Sequence, residues 1–336
     1  MPVRSGHYCR MAIFSRVRGW FAHVFWHVVG WMVVVPCALV LVCRFTGWMP
    51  KTLIVGLVSV TLLVVLPAYL ALGLAALGKH RILTAVATIV CVVHACLFVS
   101  RLGLGNAPVH TPGKATIRIF EANVLFLNPD LNRIGQEISA AAPDVVVIEE
   151  LTPAGLTQLR SSGAFSAFPY SVERTAQGAS GTGIFAKWPL VDRRDPLYYK
   201  AALLGVTLKH PTGDIDVYSV HTQAPTSSRQ AWTIQLKDLK RLFATFNSRP
   251  TIMAGDYNAT VDHRAFRELL ESGVTDAHEA TGRELAGSWP NDTSLWPVIL
   301  IDHVLVKGGI KPLRTFEGQG VGSDHRPVIA DLELPG

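Results

Sequence analysis

The chain has no cysteine after residue 96, and this absence limits what the rest of it can be. All five cysteines of the 336-residue chain (Cys9, Cys37, Cys43, Cys91 and Cys96) lie in its first third. A disulfide framework and a zinc–thiolate site are therefore excluded from the remainder. A region without cysteine is compatible with an oxidising compartment but does not require one.

Acidic residues are missing from the first third as well. Residues 1–114 contain ten Lys or Arg and no Asp or Glu, whereas residues 115–336 contain the other 21 basic and all 25 acidic residues (21 − 25 = −4). The formal net charge of +6 therefore belongs to the first third and indicates no nucleic-acid-binding face elsewhere. Residues 115–336 also lack a Lys/Arg-rich stretch with interleaved aromatic residues, the usual pattern for binding nucleic acid.

Charged residues are absent from three long apolar runs, at about residues 20–43, 53–78 and 82–100. Each run is about as long as the roughly 20 residues that cross a bilayer as a helix. A cleaved signal peptide is the alternative for the first run, but the run is too long and two more follow it. A buried soluble core is the alternative for all three. The runs predict an integral, multi-pass membrane region over residues 1–101.

Basic residues near the runs predict the orientation of this region. Six lie before the first run or between the second and third, and two lie between the first and second. In that order they are Arg4, Arg10, Arg16, Arg18, Lys79 and Arg81, then Arg44 and Lys51. The excess predicts a cytoplasmic N-terminus, which places everything after Arg101 outside the cytoplasm. A Gly/Pro linker at 102–114 then leads to a domain at 115–336.

Two histidines in the first run, His23 and His27, are four residues apart. They would share one face of a helix and could in principle bind a metal ion. The sequence offers no third ligand nearby, so an interfacial or interhelical role is expected.

The domain after the linker alternates strand and helix patterns, which predicts an α/β sandwich. Strands are predicted near 116–123, 144–149, 183–186, 201–209, 214–221, 250–255, 302–307 and 327–334. Helices are predicted at 130–141, from Pro153, from a capping box at Ser227 and Gln230 to about Phe246, and at 262–271.

Polar side chains follow or end these short apolar strands, which predicts that they gather on one rim of a sheet. They are Asn123, Glu150, His221, Asp256 with Asn258, Asp302, and Asp324 with His325. Glu149 and Glu150 are adjacent, so only one of them can serve the rim. Carboxylates and imidazoles gathered in this way suit one divalent metal ion and one phosphate group.

The order of these motifs resembles the endonuclease/exonuclease/phosphatase superfamily over about residues 115–334. The superfamily includes pancreatic deoxyribonuclease, apurinic endonucleases, inositol-polyphosphate phosphatases and bacterial sphingomyelinases. The resemblance implies a four-layer α/β sandwich, with two packed mixed sheets flanked by helices. It also implies metal-dependent hydrolysis of a phosphoester by direct attack of water, without a covalent intermediate. Magnesium is the expected ion, and manganese or calcium is the alternative.

The resemblance implies roles for individual residues. The metal ion would be held by Glu150, with Asn123 beside it and Asp324 in support, while Glu149 would be a structural neighbour. Asp256 would orient or deprotonate the attacking water, and His221 would donate to the developing charge. His325, held by Asp302, would act at the phosphate. Phosphate oxygens would be bound by Asn123 and Asn258. Arg229 has two interpretations, either a third phosphate contact or a surface residue.

Several other residues near these motifs are predicted to have structural rather than catalytic roles. His303 should face away from Asp302 on a strand, and Asp262 should lie at the start of a helix, near its dipole. The tryptophans Trp188, Trp289 and Trp296 are expected to pack rather than to stack on a substrate.

The substrate stays open at the level of sequence. The residues after Asn123 include no second acid, and His221 stands where apurinic endonucleases have a tyrosine, which argues against DNA repair. A nuclease acting on extracellular nucleic acid is one hypothesis. A phosphodiesterase or phosphatase of lipid head groups or lipid-linked envelope intermediates is the second, since a flexible linker of this length spans only about 20 Å from the bilayer. A non-catalytic scaffold or receptor is the third. No protein partner is predicted.

Overall fold

The computed structural model describes residues 5–103, 108–195, 202–246, 249–291 and 298–336. It separates into two compact units. The first comprises Met1–Trp48 and Val60–Val99, and the second comprises Met49–Ser59 and Ser100–Gly336. The predicted boundary therefore shifts, because the second unit starts before the linker and also takes in a segment from the second apolar run.

The first unit is helical. Its helices are α1 (Ser5–Thr46), α3 (Thr61–Val64), α4 (Pro67–Leu77) and α5 (Arg81–Ser100), while α2 (Thr52–Ser59) falls in the second unit. Within the described residues, two helices are long and apolar enough to cross a membrane, His23–Thr46 and Arg81–Ser100. Helix α2 and the segment Thr61–Leu77 are bent relative to each other, and they make a third span only if the pair is counted as one. The predicted helix at 53–78 is thus broken. The first break lies at Val60, whose φ of −110° and ψ of 33° are not helical. A second interruption precedes Pro67, which has no backbone N–H and begins α4.

The expectation for His23 and His27 needs a correction, because the fold brings a third histidine to them. The His23 and His80 rings lie 4.0 Å apart between centroids, and His27 Nδ1 lies 3.1 Å from His80 Nδ1. Trp31 donates its indole N–H to His27 Nε2 at 3.2 Å. His27 can therefore donate from Nδ1 to His80, and ordinary hydrogen bonds account for this contact.

The second unit contains two six-stranded sheets among its described residues. Their orders are β11-β12-β1-β2-β4-β3 and β5-β6-β7-β8-β10-β9. The strands are β1 (Thr116–Asn123), β2 (Val145–Glu149), β3 (Tyr170–Arg174), β4 (Thr182–Ala186), β5 (Leu190–Arg194), β6 (Ala202–His210), β7 (Gly213–His221), β8 (Thr251–Asp256), β9 (Thr275–Asp276), β10 (Asp302–Lys307), β11 (Lys311–Glu317) and β12 (Val328–Glu333). The helices are α6 (Asn132–Ala141), α7 (Pro153–Ser161), α8 (Pro225–Ala244), α9 (Arg264–Leu270) and α10 (Ala277–Ala280).

Alternation along the central strands creates the layers. In β1, Ile117 and Ile119 join the core between the two sheets, where side chains of β7, β8 and β10 meet them. Phe120 and Ala122 point the other way and pack against α6 and α7. Trp232 of α8 and Phe266 of α9 are fully buried on the second sheet's side. The predicted four-layer α/β sandwich is confirmed.

All the predicted strands are present within a few residues of their expected bounds, and the strands that prediction missed share one property. They are β3, β5, β9 and β11, which form the four edges of the two sheets. Edge strands carry polar residues and face solvent on one side, so they lack the apolar runs of central strands. The short helix α10 was also missed.

The linker is attached to the second unit over part of its length. Residues 104–107 lie outside the described residues. Beyond them, His110 Nδ1 lies 3.0 Å from Glu333 Oε2, and the Thr111 hydroxyl donates to Glu333 Oε1 at 2.9 Å. Lys311 donates to the carbonyl of Val109 at 2.6 Å. This half of the linker is therefore not a free tether.

Asp262 does not have the predicted helix-start position. Helix α9 begins two residues later, at Arg264, and the buried Asp262 carboxylate forms an ion pair with the buried guanidinium of Arg101, 2.5 Å away. Breaking one side of such a pair leaves a charge without a partner, so this contact ties the start of the second unit to its core.

Candidate active site

The candidate site lies where five strands end or begin at one end of the sandwich. Strands β1 and β2 are parallel, as are β7 and β8, so each pair brings its carboxyl ends together. Strand β10 runs antiparallel to β8 and starts at this end, with Asp302 directly opposite Asp256. Gly255 lets the strands approach, because a Cβ there would lie 1.8 Å from the carbonyl oxygen of Val220. Its φ of +150° also suits only glycine.

Asp256 is the centre of the hydrogen-bond network. Its Oδ1 accepts from the backbone N–H of Asn258 at 2.7 Å. Its Oδ2 accepts from the side-chain amides of Asn258 at 3.1 Å and Asn123 at 3.2 Å. Two imidazoles face the same oxygen, with His221 Nε2 at 3.5 Å and His325 Nε2 at 3.8 Å. Asp256 and Asn258 thus lie on one side of their turn, as their spacing predicted.

His325 and Asp302 form a buried pair. His325 Nδ1 lies 2.9 Å from Asp302 Oδ2 and 3.0 Å from Oδ1. Burial alone would lower the pKa of His325, but the carboxylates of Asp302 and Asp256 outweigh it and raise that pKa to about 10. The imidazolium therefore has both a fixed orientation and a stable positive charge at neutral pH.

The pKa of Asp256 moves toward neutrality. Burial and the neighbouring Asp302 carboxylate raise it to about 6, while His325 and His221 act in the opposite direction. A carboxylate with such a pKa is ionised at neutral pH but holds a proton more readily than an exposed aspartate.

Glu150 reaches the site through an unusual backbone conformation. Its φ is +58°, and Asn258 has φ +49°. In a continuing strand, Glu150 would point to the face opposite Glu149, but the left-handed conformation turns it toward Asn123. Its Oε1 accepts from the Asn123 amide at 3.2 Å, and its Oε2 accepts from the backbone N–H of Phe126 at 3.0 Å.

The segment 323–325 completes the site. The Ser323 hydroxyl donates to the carbonyl of Asn123 at 2.7 Å and accepts from the backbone N–H of His325 at 3.1 Å. Asp324 Oδ1 lies 3.9 Å from His325 Nε2, while its Oδ2 accepts from the indole of Trp289 at 3.1 Å. Trp289 therefore orients a site carboxylate in addition to packing. Trp296 lies outside the described residues.

Arg229 has no observed contact with the site. It is half-buried in the second turn of α8, and its side chain makes no hydrogen bond or ion pair with any residue that the structure describes. His303 faces away from the site, as expected. Its ring contacts Asp276 at 2.7 Å and the carbonyl of Ala259 at 3.0 Å.

A pair of buried glutamates beneath the site was missed by the sequence analysis. Glu121 and Glu149 are fully buried, and Glu149 Oε1 accepts from the hydroxyl of Ser219 at 2.8 Å. Burial, together with Asp302 and Glu149, raises the pKa of Glu121 well above its usual value. Burial likewise raises the pKa of Glu149. Both carboxylate oxygens of Glu121 and Oε2 of Glu149 are buried without a hydrogen-bond partner among the described residues. The burial of Glu121 could have been predicted from the sequence, because alternation along β1 places it on the same inward face as Ile117 and Ile119.

The chemistry of the available donors fits a hard divalent cation. Glu150 and Asp324 keep carboxylate side chains that are 12% and 26% exposed, so both can reach solvent and a phosphate group. Within the described residues, Asp256, Asp302 and His325 also form a cluster whose ligand atoms lie within 4.8 Å of one another. The predicted ligands Glu150, Asn123 and Asp324 border this cluster through the contacts given above. Oxygen ligands of this kind are those that Mg²⁺, Mn²⁺ and Ca²⁺ prefer.

The neighbouring glutamates allow a matched test of metal binding. We expect Glu150→Gln to weaken Mn²⁺ binding by roughly tenfold or more, because it removes a ligand charge at the site. Glu149→Gln should leave the affinity nearly unchanged, because Glu149 faces the core, where it accepts a hydrogen bond from Ser219. Calorimetric titration of both variants with Mn²⁺ checks this. Equal losses in the two variants would contradict the assignment.

Several solved structures share this fold with the chain at low sequence identity. A humanized form of TDP2 from D. rerio has 18% sequence identity and a TM-score of 0.54, covering 65% of this chain and 99% of that chain. An endonuclease/exonuclease/phosphatase family protein from Bacteroides thetaiotaomicron has 16% identity and a TM-score of 0.54, covering 66% and 99%. TDP2 from D. rerio, complexed with a single-strand DNA product, has 18% identity and a TM-score of 0.54, covering 66% and 100%.

These likenesses establish the fold, and the sequence adds the family. No curated protein sequence is similar enough to match this chain. A family model does match, over residues 121–325, and that range begins at Glu121 and ends at His325. This range covers more than half of the chain and includes every residue of the site described above. The chain belongs to the Endonuclease/Exonuclease/phosphatase family.

Proposed function

We propose that this protein is a membrane-anchored, divalent-metal-dependent phosphoesterase in which water attacks phosphorus directly. The observation that carries the proposal is the convergence on Asp256 Oδ2 of two imidazoles, His221 at 3.5 Å and His325 at 3.8 Å, together with the Asn123 and Asn258 amides. The two imidazoles and the two side-chain amides thus surround the Asp256 carboxylate, and Glu150 lies beside this group.

The chain's own residues supply most of the steps. Asp256 accepts a proton from the attacking water while the water oxygen bonds to phosphorus, and its raised pKa suits this role near neutral pH. The His325 imidazolium, held by Asp302, and the amide of Asn258 bind phosphoryl oxygens as negative charge develops. His221 donates to the same charge. The phosphorus–oxygen ester bond then breaks, and the leaving oxygen takes up a proton from water. A divalent cation held by Glu150, Asn123 and Asp324 would supply further neutralisation of phosphoryl charge.

Removing the metal or the base should stop the reaction. We expect a chelator to abolish turnover of a generic phosphodiester by the full chain in detergent, and Mg²⁺ or Mn²⁺ to restore it. Asp256→Asn should lower the rate by roughly 10²- to 10⁴-fold, the range for removing a general base. A rate unchanged by the chelator would contradict metal dependence. No turnover of any substrate with any of the three ions would instead favour the scaffold hypothesis.

The apolar helices of the first unit support membrane anchoring. With the bent pair counted as one span, the excess of basic residues before the first run and between the second and third runs supports a cytoplasmic N-terminus and a family domain outside the cytoplasm. We expect a periplasm-active alkaline phosphatase fused after Gly336 to be active in a bacterial host, and a fusion after Lys51 to be active as well. A fusion after Lys79 should be inactive. The reverse pattern would overturn this topology.

The exposed side chains beside the site favour an amphiphilic substrate over nucleic acid. Phe126 and Leu127, next to the Glu150 contact, are 38% and 70% exposed, and Trp289 and Val321, near Asp324, are 36% and 42% exposed. Arg229 is the basic residue that the sequence analysis placed near the phosphate, and it makes no site contact. A rim of this composition can contact acyl or isoprenoid chains while a phosphate occupies the site. Lipid head groups or lipid-linked phosphates are therefore our preferred substrates.

A nuclease remains the alternative, because D. rerio TDP2, which has this fold, was solved with a single-strand DNA product. Plasmid DNA, RNA, phospholipid and a soluble phosphodiester assayed side by side separate the two, with Asp256→Asn as the blank. Cutting of nucleic acid in the absence of lipid turnover would make the protein a nuclease.

Variants of the rim test the substrate preference independently. We expect Leu127→Glu and Val321→Glu to lower turnover of phospholipid in mixed micelles by roughly tenfold, because each places a charge where an apolar chain would lie. Turnover of the soluble phosphodiester should change little. Val191→Glu, at an exposed position of β5, is the matched control. Equal effects on both substrates would contradict a lipid-contacting rim.

A further inference from the structure

A second cluster of metal-ligand side chains lies in the family domain, apart from the residues assigned above. Asp276 ends β9, His278 lies in α10, and His303 follows Asp302 in β10 on the opposite face of the strand. Their ligand atoms lie within 4.8 Å of one another. The side chains of His278, His303 and Asp276 are 0%, 1% and 7% exposed, so the group is closed off from solvent.

The contacts of His303 require a proton or a cation between this histidine and Asp276. Its Nε2 lies 3.0 Å from the carbonyl oxygen of Ala259, which can only accept, so Nε2 carries a hydrogen. Its Nδ1 faces Asp276 Oδ2 at 2.7 Å. In a neutral ring, that nitrogen would present a lone pair to a carboxylate oxygen. Either a second proton or a cation must therefore lie between Nδ1 and the carboxylate.

His278 lacks hydrogen-bond partners for its ring nitrogens among the described residues. Both of these nitrogens are buried. Its Nδ1 lies 3.7 Å from Asp276 Oδ1, and its Nε2 lies 3.3 Å from Glu317 Oε1, which is itself without a hydrogen bond. A fully buried imidazole whose ring nitrogens make no hydrogen bond is unfavourable. Such an exception calls for an explanation, and an ion is one of the usual ones.

The surrounding groups have the arrangement that metal-binding histidines use. Ligating imidazoles direct one nitrogen at the ion and donate the other N–H to a carboxylate or a backbone carbonyl. Here Ala259 O would accept from His303, and Glu317 Oε1 would accept from His278. Glu317 is held in turn by Arg283, whose guanidinium lies 2.5 Å from Glu317 Oε2. The ring of Phe266, 4.4 Å from that of His303 between centroids, closes the apolar side.

We propose that Asp276, His278 and His303 form a structural zinc site, with Asp276 Oδ2 and both Nδ1 atoms as ligands. Two imidazoles and one carboxylate suit Zn²⁺, and one water molecule enclosed with the ion would take the fourth tetrahedral position. Zinc bonds are about 2.0–2.2 Å long, so His303 Nδ1 and Asp276 Oδ2 would separate by about half an ångström to admit the ion. The site would join β9, α10 and β10, and would thereby position Asp302 from behind the reacting groups.

Zinc retention by the full chain tests this proposal. The protein is purified in detergent without a polyhistidine tag and carries Glu150→Gln, so that the catalytic site contributes little. It is then loaded with ZnCl₂, desalted and analysed for metal. We expect about one zinc ion per chain, as a single closed site binds. His278→Gln should lose this ion, whereas His210→Gln, at a half-buried histidine of β6 outside the cluster, should retain it. No retained zinc, or equal retention in the His278→Gln chain, would overturn the proposal and leave a proton as the source of the positive charge.

A spectroscopic measurement keeps the test decisive if His278→Gln does not fold. Co²⁺ added to the folded Glu150→Gln chain should give the intense visible absorption of a tetrahedral site, and excess Zn²⁺ should remove it. Zinc should also raise the melting temperature of this chain, because metal bound only by the folded state stabilises it. A weak octahedral cobalt spectrum would count against the site even if the chain binds metal elsewhere.

Discussion

Two carboxylates held opposite each other across an antiparallel strand pair are the constraint on which the rest of the site depends. Asp256 and Asp302 are partners in the register of β8 and β10, and both are buried. Negative charges so close and so poorly hydrated need compensation. His325 and His221 provide it. The pairing of His325 with Asp302 and Asp256 stabilises these buried carboxylates. The same pairing keeps His325 as the imidazolium that a phosphoester hydrolase requires.

The same electrostatic problem continues below the site. Glu121 and Glu149 lie in the layer beneath the reacting groups, where no basic side chain contacts them among the described residues, and burial raises the pKa of both carboxyl groups. Burial excludes water from the site and strengthens each of its charge interactions. The apolar rim around Phe126 and Leu127 extends this dry environment to the surface.

The family domain also shows how one strand can serve two purposes. In β10, Asp302 faces the site and His303 faces the cluster with Asp276, because adjacent strand residues point to opposite faces. The contacts of His303 with Asp276 and with the carbonyl of Ala259 hold the other face of the strand that carries Asp302. The catalytic geometry is therefore stabilised from a part of the domain that does not contact the substrate.

The sequence by itself determined the central strands, the apolar helices and the order of Asn123, Glu150, His221, Asp256 and His325, since these depend on local periodicity and motif spacing. It did not reveal the four edge strands, whose residues are polar and face solvent. Only the tertiary structure decided that the second apolar run breaks, that Arg101 pairs with Asp262, and that Asp276, His278 and His303 meet. Such contacts join residues far apart in the chain, so no local pattern encodes them. The left-handed backbone that turns Glu150 into the site was equally hidden, because packing across both sheets imposes it on a residue that does not prefer it.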